Sequence, residues 1–241
     1  MKLIIRSLIT IYLLNVSIDA LSTMKDEPPE DLVKGITYRH ASPVHAPADT
    51  SSEHEAIDTS FYRINTTYNI ALNRLKQQAA ELKEYLSVNG YNTEYCFLAD
   101  MSIPCGKNRF FVYNLKKDVV EVSSLVAHGF GSTVPNTYDD LEFSNMPNSF
   151  KTSLGKYKIG NDYMGTFGLS YKLYGLDSTN NRAFERTIVL HADAHVPEKE
   201  VFPYHIYRSA GCPTVSPLFL GVLTKYIKAS KKPILMWIYY S

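Results

Sequence analysis

The sequence lacks an excess of charge of either sign. Its 241 residues include 25 Lys and Arg against 24 Asp and Glu, a formal net charge of +1. It also lacks a Lys/Arg-rich run and zinc-finger spacing, so neither charge nor motif predicts a nucleic-acid partner. There is no internal repeat or low-complexity tract. The remaining composition, 45% hydrophobic and 20% charged, is that of a folded globular protein with one domain and some extra segments.

Long apolar runs are missing beyond the first twenty residues, so no stable membrane span is predicted in the rest of the chain. Residues 1–20 have the pattern of a signal peptide: Lys2, an apolar run over 3–14 interrupted by Arg6, and small residues at 17–20. An uncleaved membrane anchor is the alternative. No cysteine follows the apolar run, so a bacterial lipoprotein is not indicated. We expect export to the periplasm or cell envelope.

Cysteine is scarce, with only Cys96, Cys105 and Cys212. In an oxidising compartment spare thiols tend to pair. Cys96 and Cys105 flank a short turn-like segment, so they form either a disulfide or two unrelated free thiols. In either case Cys212 is the odd thiol of an exported chain, and its presence calls for a reason.

Tryptophan is nearly absent, but there are 18 tyrosines, which favour strands and half-buried grooves. Residues 21–57 are rich in proline and polar residues and predict a tether that does not fold alone. Residues 58–90 show helical periodicity up to Asn89-Gly90 and predict one or two helices that pack on the domain at 91–241.

That domain is predicted to be mainly β. Short β-branched or aromatic runs predict strands at 95–99, 110–115, 119–127, 155–159, 169–174 and 187–191. Ser216 and Pro217 predict the start of a helix that ends near Lys228. The apolar run at 233–240 predicts a closing central strand.

Two segments could together supply a nucleophile and a base. His191 ends a predicted strand, and Cys212 lies in the small-residue loop at 209–213. An imidazole and nearby backbone dipoles can lower the pKa of a thiol, and its thiolate can attack an acyl carbonyl. Gly211 permits a tight turn that presents backbone amides to an oxyanion. The alternative is a buried structural cysteine, which is the commoner case.

Zinc bound by His191 and His195 is a further alternative. Two histidines four apart can share a helix face, but the residues before them predict a strand, on which they would lie about 13 Å apart. No Glu occupies the position between them that a zinc peptidase requires. We therefore predict no metal and no other cofactor.

Beyond Gly90 the sequence resembles the murein branch of the L,D-transpeptidase catalytic-domain family (YkuD-like). The resemblance covers about 95–241 and rests on blocks in the family's order. These are Val126-Ala127-His128-Gly129, Phe143-Ser144-Asn145, Ser149, Thr152-Ser153-Leu154-Gly155-Lys156-Tyr157, Tyr163-Met164-Gly165-Thr166-Phe167-Gly168-Leu169-Ser170, Leu173-Tyr174-Gly175-Leu176-Asp177, Asn180, Ala183, Arg186, Ile188-Val189-Leu190-His191-Ala192 and Arg208-Ser209-Ala210-Gly211-Cys212-Pro213.

The resemblance implies a β-sandwich fold with N-terminal helices, a helix after the catalytic cysteine, and a groove that takes peptidoglycan stem peptides. It implies that Cys212 is the nucleophile, His191 its base, and that the amides of Gly211 and Cys212 form the oxyanion hole. Ser209 would shape the loop or orient the histidine. Ala210 departs from the wider family, which has His there, so substrate choice and the balance of transfer against hydrolysis are in doubt.

The resemblance also implies substrate contacts, each with an alternative. Arg208 would bind a stem carboxylate or form a structural salt bridge. Tyr163, Gly165 and Gly168 would line the groove or only specify the fold. His128 would be a second groove imidazole or a packed side chain.

Three functions follow from this reading. The leading one is transpeptidation, in which Cys212 carries the acyl group of a stem and passes it to an amine. Hydrolysis of the same thioester, by a carboxypeptidase or endopeptidase, is the close alternative. A non-catalytic murein-binding protein is the third, although retention of both Cys212 and His191 argues against it. The sequence predicts no oligomeric state.

Overall fold

The computed structural model describes residues 69–137 and 139–241. The predicted signal peptide at 1–20, the tether at 21–57 and residues 58–68 of the helical segment lie outside this part. Within it, no helix combines the length and the apolar character that crossing a membrane requires.

Two helices and eight strands make up the described fold. Helix α1 spans Asn69–Val88 and helix α2 spans Pro217–Ala229. The strands are β1 (Tyr95–Asp100), β2 (Phe110–Asn114), β3 (Val119–Ser124), β4 (Gly155–Gly165), β5 (Gly168–Gly175), β6 (Val189–Ala192), β7 (Thr214–Val215) and β8 (Leu235–Tyr239). The prediction of a mainly β fold with a helix before it and a helix after the candidate cysteine is confirmed.

The strands form one sheet in the order β3-β2-β1-β8-β4-β5-β6-β7. Strand β8 pairs parallel to β1 on one side and antiparallel to β4 on the other. The predicted closing central strand is therefore confirmed.

Alternation along the strands divides the core between the two faces of the sheet. On β1, Phe97 and Ala99 face a large cluster that also receives side chains from β4, β5, β6 and α2. Cys96 and Leu98 face a second cluster, which α1 covers. Helix α1 supplies to it a stripe spaced three, four and seven residues apart, Leu75, Ala79, Leu82 and Leu86, all at most 2% exposed. Each buried leucine contributes about 1.5–3 kcal/mol.

Helix ends follow the sequence signals. The hydroxyl of Ser216 accepts a hydrogen bond from the amide of Phe219, and Pro217 occupies the first turn of α2. After α1 the chain turns at Gly90, whose φ of +74° is easily adopted only by glycine.

Several boundaries differ from the predicted ones. Strand β3 ends at Ser124 rather than 127, and β4 runs on to Gly165 because it forms a hairpin with β5. Strand β6 begins at Val189 rather than 187, since Thr187 has a positive φ of 54°. The two-residue strand β7 carries no pattern that a sequence could reveal.

The disulfide between Cys96 and Cys105 is not formed, and both thiols are free. Cys96 points from β1 into the cluster under α1, whereas Cys105 belongs to a separate small cluster with Leu125 and Ile206. The turn between the two cysteines therefore sends their side chains into different parts of the core.

Candidate active site

The loop that carries Cys212 is held at both ends by the segment before the 3₁₀ turn at Phe130–Ser132. On one side Gly129 bridges to Ser209, and on the other Ala127 bridges to Thr214. A Cβ on Gly129 would lie 2.1 Å from the carbonyl oxygen of Phe150 and 2.8 Å from the Cα of Gly211. A larger residue at 129 would therefore push the Cys212 loop away from its support.

Ser209 closes the loop on itself. Its hydroxyl donates to the carbonyl oxygen of Cys212 at 2.6 Å and accepts from the amide of Gly211 at 3.1 Å. Gly211 has a φ of +120°, and a Cβ there would lie 3.0 Å from the carbonyl oxygen of Lys151. The turn thus depends on a hydroxyl at 209 and on glycine at 211.

The sulfur of Cys212 lies against the start of β6. The amide of Val189 donates to Sγ at 3.5 Å, and the carbonyl oxygen of Thr187 lies 3.9 Å away. Burial raises the pKa of the Cys212 thiol, and the Val189 amide and the Arg186 charge oppose that rise. The resting side chain is therefore a half-buried thiol.

His191 stands on β6, two residues beyond the amide that contacts the sulfur. Its Nδ1 lies 3.1 Å from the carbonyl oxygen of Ala192, so Nδ1 carries the proton and Nε2 is the basic nitrogen. Burial lowers the pKa of His191, which keeps the ring neutral at neutral pH. Nε2 is occupied by the hydroxyl of Thr214 at 2.9 Å. In the part of the chain that the structure describes, neither ring nitrogen is hydrogen-bonded to Cys212.

The β4–β5 hairpin covers the imidazole. Its tip places the ring of Phe167 on that of His191, with centroids 4.3 Å apart and an interplanar angle of 23°. Gly165 and Gly168, both predicted to line the groove, pair across the end of this hairpin. The predicted groove residue Tyr163 is 38% exposed on the same hairpin. On this hairpin the side chain that contacts the candidate base is thus Phe167, to which the sequence assigned no role.

The guanidinium of Arg186, a residue of the family pattern to which the sequence assigned no role, organises the other side of the loop. Arg186 donates to the carbonyl oxygens of Ser144 and Lys151 at 2.8 and 2.6 Å and to the hydroxyl of Ser153 at 3.0 Å. Several family blocks therefore converge on one side chain. Its charge also lies close enough to Cys212 to lower the pKa of the thiol.

The predicted substrate contact Arg208 lies at the surface of the protein. Arg208 is exposed and donates to the hydroxyl of Thr133 at 3.2 Å. Within the described ranges no carboxylate forms an ion pair with it, so the salt-bridge alternative is not what the structure has.

His128 is only 1% exposed, which favours the packed side chain over the groove imidazole, the two alternatives that the sequence left open. Nδ1 lies 2.8 Å from Nη2 of the buried Arg109, and Nε2 lies 3.3 Å from the Thr133 hydroxyl. Burial and the Arg109 charge lower the pKa of His128 to about 3, so it is a neutral internal acceptor.

The two amides predicted to form the oxyanion hole differ in their hydrogen bonds. The amide of Gly211 is already bonded to the hydroxyl of Ser209. Among the described residues no acceptor is bonded to the amide of Cys212. Of the two amides that were expected to bind an oxyanion, that of Cys212 is the one without an acceptor among the described residues.

His191 and His195 do not share a metal site in the described part of the chain. His195 lies outside β6, with its side chain 81% exposed, and contacts Asp193 at 2.7 Å. Its ring stacks on that of Tyr207.

A family model for the L,D-transpeptidase catalytic domain matches residues 66–239. The chain belongs to this family. No curated protein sequence matches it.

Solved structures of similar fold include three bacterial proteins. The helical cell shape determining protein Pgp2 from Campylobacter jejuni is 11% identical with a TM-score of 0.40; the match covers 61% of this chain and 48% of Pgp2, so the chain spans about half the length of that protein. An L,D-transpeptidase from Xylanimonas cellulosilytica is 12% identical, with a TM-score of 0.31 and coverage of 65% and 68%. An L,D-transpeptidase from Mycobacterium tuberculosis H37Rv is 12% identical, with a TM-score of 0.31 and coverage of 61% and 57%.

Proposed function

We propose that the chain is an exported, cysteine-dependent murein L,D-transpeptidase that acylates Cys212 with a peptidoglycan stem peptide. Membership of the family supports this class of reaction. The observation that carries the proposal is a thiol on a tightly closed loop whose sulfur contacts β6, the strand that also carries a neutral imidazole. The imidazole has its basic nitrogen bonded to Thr214 on β7, two residues beyond the thiol.

In the acylation step the proton of the Cys212 thiol passes to Nε2 of His191. The sulfur then attacks the carbonyl carbon of the third stem residue, and the amide of Cys212 donates to the resulting oxyanion. Collapse breaks the peptide bond to the terminal D-residue, whose nitrogen takes the proton from the imidazolium. The product is a thioester on Cys212 and a free amino acid.

In the transfer step an amine of a second stem loses its proton to His191 and attacks the thioester carbonyl. A new amide forms, and the sulfur leaves as thiolate and recovers a proton from the imidazolium. Water in place of the amine would give hydrolysis. The exposed Arg208 beside the loop is the side chain best placed to bind a stem carboxylate.

Both transfers require a rearrangement from the resting geometry. Nε2 of His191 must leave the Thr214 hydroxyl, and the Cys212 sulfur must leave the Val189 amide, before the two can share a proton. Entry of the stem peptide under Phe167 would trigger this rearrangement, because the Phe167 ring covers the imidazole and is 55% exposed.

The test is intact-mass analysis of the purified chain exposed to a stem tetrapeptide, followed by addition of an acceptor stem. We expect an acyl adduct that is absent from Cys212→Ala and present in the matched control Cys96→Ala, whose thiol is fully buried. Linked dimers should then appear on addition of the acceptor. An adduct that yields only trimmed monomers would establish hydrolysis instead, and absence of any adduct in folded protein would leave the non-catalytic alternative.

A further inference from the structure

Three potential metal ligands converge at a place that the proposed catalysis does not use. Cys105 comes from the loop between β1 and β2, Asp139 from the segment between β3 and β4, and His205 from the segment between β6 and β7. One ligand atom from each lies within 4.8 Å of both others. The described ranges hold no other group of three or more such side chains.

The separations match those of a tetrahedral ion. The sulfur of Cys105 lies 3.4 Å from Nδ1 of His205, and this nitrogen lies 3.9 Å from Oδ1 of Asp139. Bond lengths of about 2.3 Å to sulfur and 2.0–2.2 Å to nitrogen or oxygen would place ligand atoms about 3.4–3.5 Å apart. The two ligand atoms nearest His205 are thus within about half an ångström of these separations, and the third separation, between Cys105 and Asp139, is at most 4.8 Å and must close as the ion binds.

We propose that Cys105, Asp139 and His205 bind Zn²⁺ through Sγ, Oδ1 and Nδ1, with water as the fourth ligand. On binding, the thiol proton is released to solvent, and the thiolate and carboxylate charges balance those of the ion. His205 binds as the neutral imidazole, with its proton on Nε2. A thiolate, an imidazole and a carboxylate are ligands that zinc accepts together.

The three candidate ligands are buried to different degrees. Cys105 is 1% exposed, whereas the side chains of Asp139 and His205 are 17% and 50% exposed. An ion can therefore enter from the solvent side and reach the sulfur last.

Arg109 is a positive charge that acts on the thiol of this site. It is fully buried, and its donors are directed at the carbonyl oxygens of Val126 and Ile103 and at His128, so none is bonded to a ligand atom. Its charge and the open fourth position predict weaker binding than at closed four-ligand zinc sites.

The ion would tie together loops that meet near the nucleophile. The amides of Val201 and Phe202 already bond the carbonyl oxygen of Gly106, and the segment continues through His205 to Ser209. A bound ion would add a link between this segment and the β1–β2 loop. It would stabilise the support of the Cys212 loop without contacting the reacting atoms.

The test uses the full chain, stripped with a chelator, kept reduced and titrated with Zn²⁺ against a chromophoric competitor. We expect the chain to bind one equivalent more than His205→Ala, whose half-exposed side chain can be removed without disturbing the core. Cys105→Ser should lose the same equivalent, and the matched controls His195→Ala and Cys96→Ala should retain it. Cobalt in place of zinc should give a thiolate charge-transfer band that Cys105→Ser lacks.

Equal zinc binding by the chain and His205→Ala would overturn the proposal, as would retention of the cobalt–thiolate band in Cys105→Ser. Thermal denaturation gives a further readout. Zinc should raise the melting temperature of the chain but not that of His205→Ala. Equal shifts in both proteins would also contradict the site.

Discussion

The hydroxyl of Thr214 lies 2.9 Å from Nε2 of His191, and both residues lie at the same register position of neighbouring strands. The same hydroxyl lies 3.4 Å from the carbonyl oxygen of Cys212. The candidate base is therefore held by a residue two positions beyond the candidate nucleophile. In the proposed mechanism Thr214 positions the candidate base and must give up its partner when the thiol is activated.

Thr214→Val removes this hydroxyl at nearly constant volume. A hydrogen bond donated to the neutral imidazole lowers its basicity, so its loss should raise the pKa of His191 and free Nε2 for the thiol. Because such a bond contributes about 1 kcal/mol, we expect alkylation of Cys212 by iodoacetamide at pH 7 to be about fivefold faster. Thr224→Val, which removes the acceptor of Tyr171 elsewhere in the fold, is the matched control. Slower or unchanged alkylation in Thr214→Val would contradict this role.

Phe167→Ala should change the pH dependence of the reaction. Burial lowers the pKa of His191, and the stacked Phe167 ring is part of that burial. Removing the ring should raise the imidazole pKa towards its ordinary value. Since the base acts in its neutral form, the acid limb of the pH profile of kcat/KM should move to higher pH. Phe184→Ala, which removes an exposed ring stacked on Tyr174, should leave the profile unchanged. A shift to lower pH in Phe167→Ala would refute the argument.

Arg186→Met tests the guanidinium beside the loop. The charge of Arg186 lowers the pKa of Cys212, so its loss should move the pH midpoint of thiol alkylation upwards. The carbonyl oxygens of Ser144 and Lys151 lose their donors, and we expect the free energy of unfolding to fall by about 2 kcal/mol or more. Arg186→Lys keeps the positive charge but lacks the planar set of donors. It should therefore restore the pH midpoint of alkylation but not the free energy of unfolding.

The matched control for Arg186 is Arg182→Met, which breaks an exposed pair with Glu185 and should change neither quantity measurably. If Arg186→Met shifted the midpoint no more than this control, Arg186 would have no electrostatic role at the thiol. Urea unfolding followed by circular dichroism measures the stability term.

Gly211→Ala places a side chain at a φ of +120° and only 3.0 Å from the Lys151 carbonyl oxygen. Such a backbone position costs roughly 1–3 kcal/mol, and the loop can relieve it only by moving Cys212. We expect loss of the acyl adduct in protein that still folds. Gly221→Ala in helix α2 meets nothing within 4 Å and should raise the free energy of unfolding by about 0.5–1 kcal/mol with normal acylation. Normal acylation by Gly211→Ala would show that the turn tolerates another geometry.

Local patterns were sufficient to predict most of the fold. The run at 233–240 predicted a central strand, because only a strand buried on both faces is apolar at almost every position. Ser216 and Pro217 predicted the start of α2 for the same reason that they stabilise it, by filling the unpaired first turn. Strand β7 was missed because two residues carry no periodicity.

The site was predictable only where its chemistry lies within one segment. Cys212, Ser209 and Gly211 share a loop, and their closeness follows from the sequence. The hydrogen bond between the Thr214 hydroxyl and Nε2 of His191 depends on the pairing of two strands, and these residues are 23 positions apart in the sequence. The burial of His128 depends on the buried guanidinium of Arg109. The contacts of Arg186 depend on carbonyl oxygens that are more than thirty residues away in the sequence. Such partners are set by the tertiary structure and leave no local signal.

The central position of β8 in the sheet affects the order in which the fold forms. In the described sheet the strands before residue 125 and those after residue 154 are joined by hydrogen bonds only through β8. The loop of Cys212 is synthesised before β8, yet the sheet that supports it stays in two separate halves until residues 235–239 have left the ribosome. Pairings this distant in sequence form slowly. The two halves of the sheet therefore join in one late event, after the loop of Cys212 has been made.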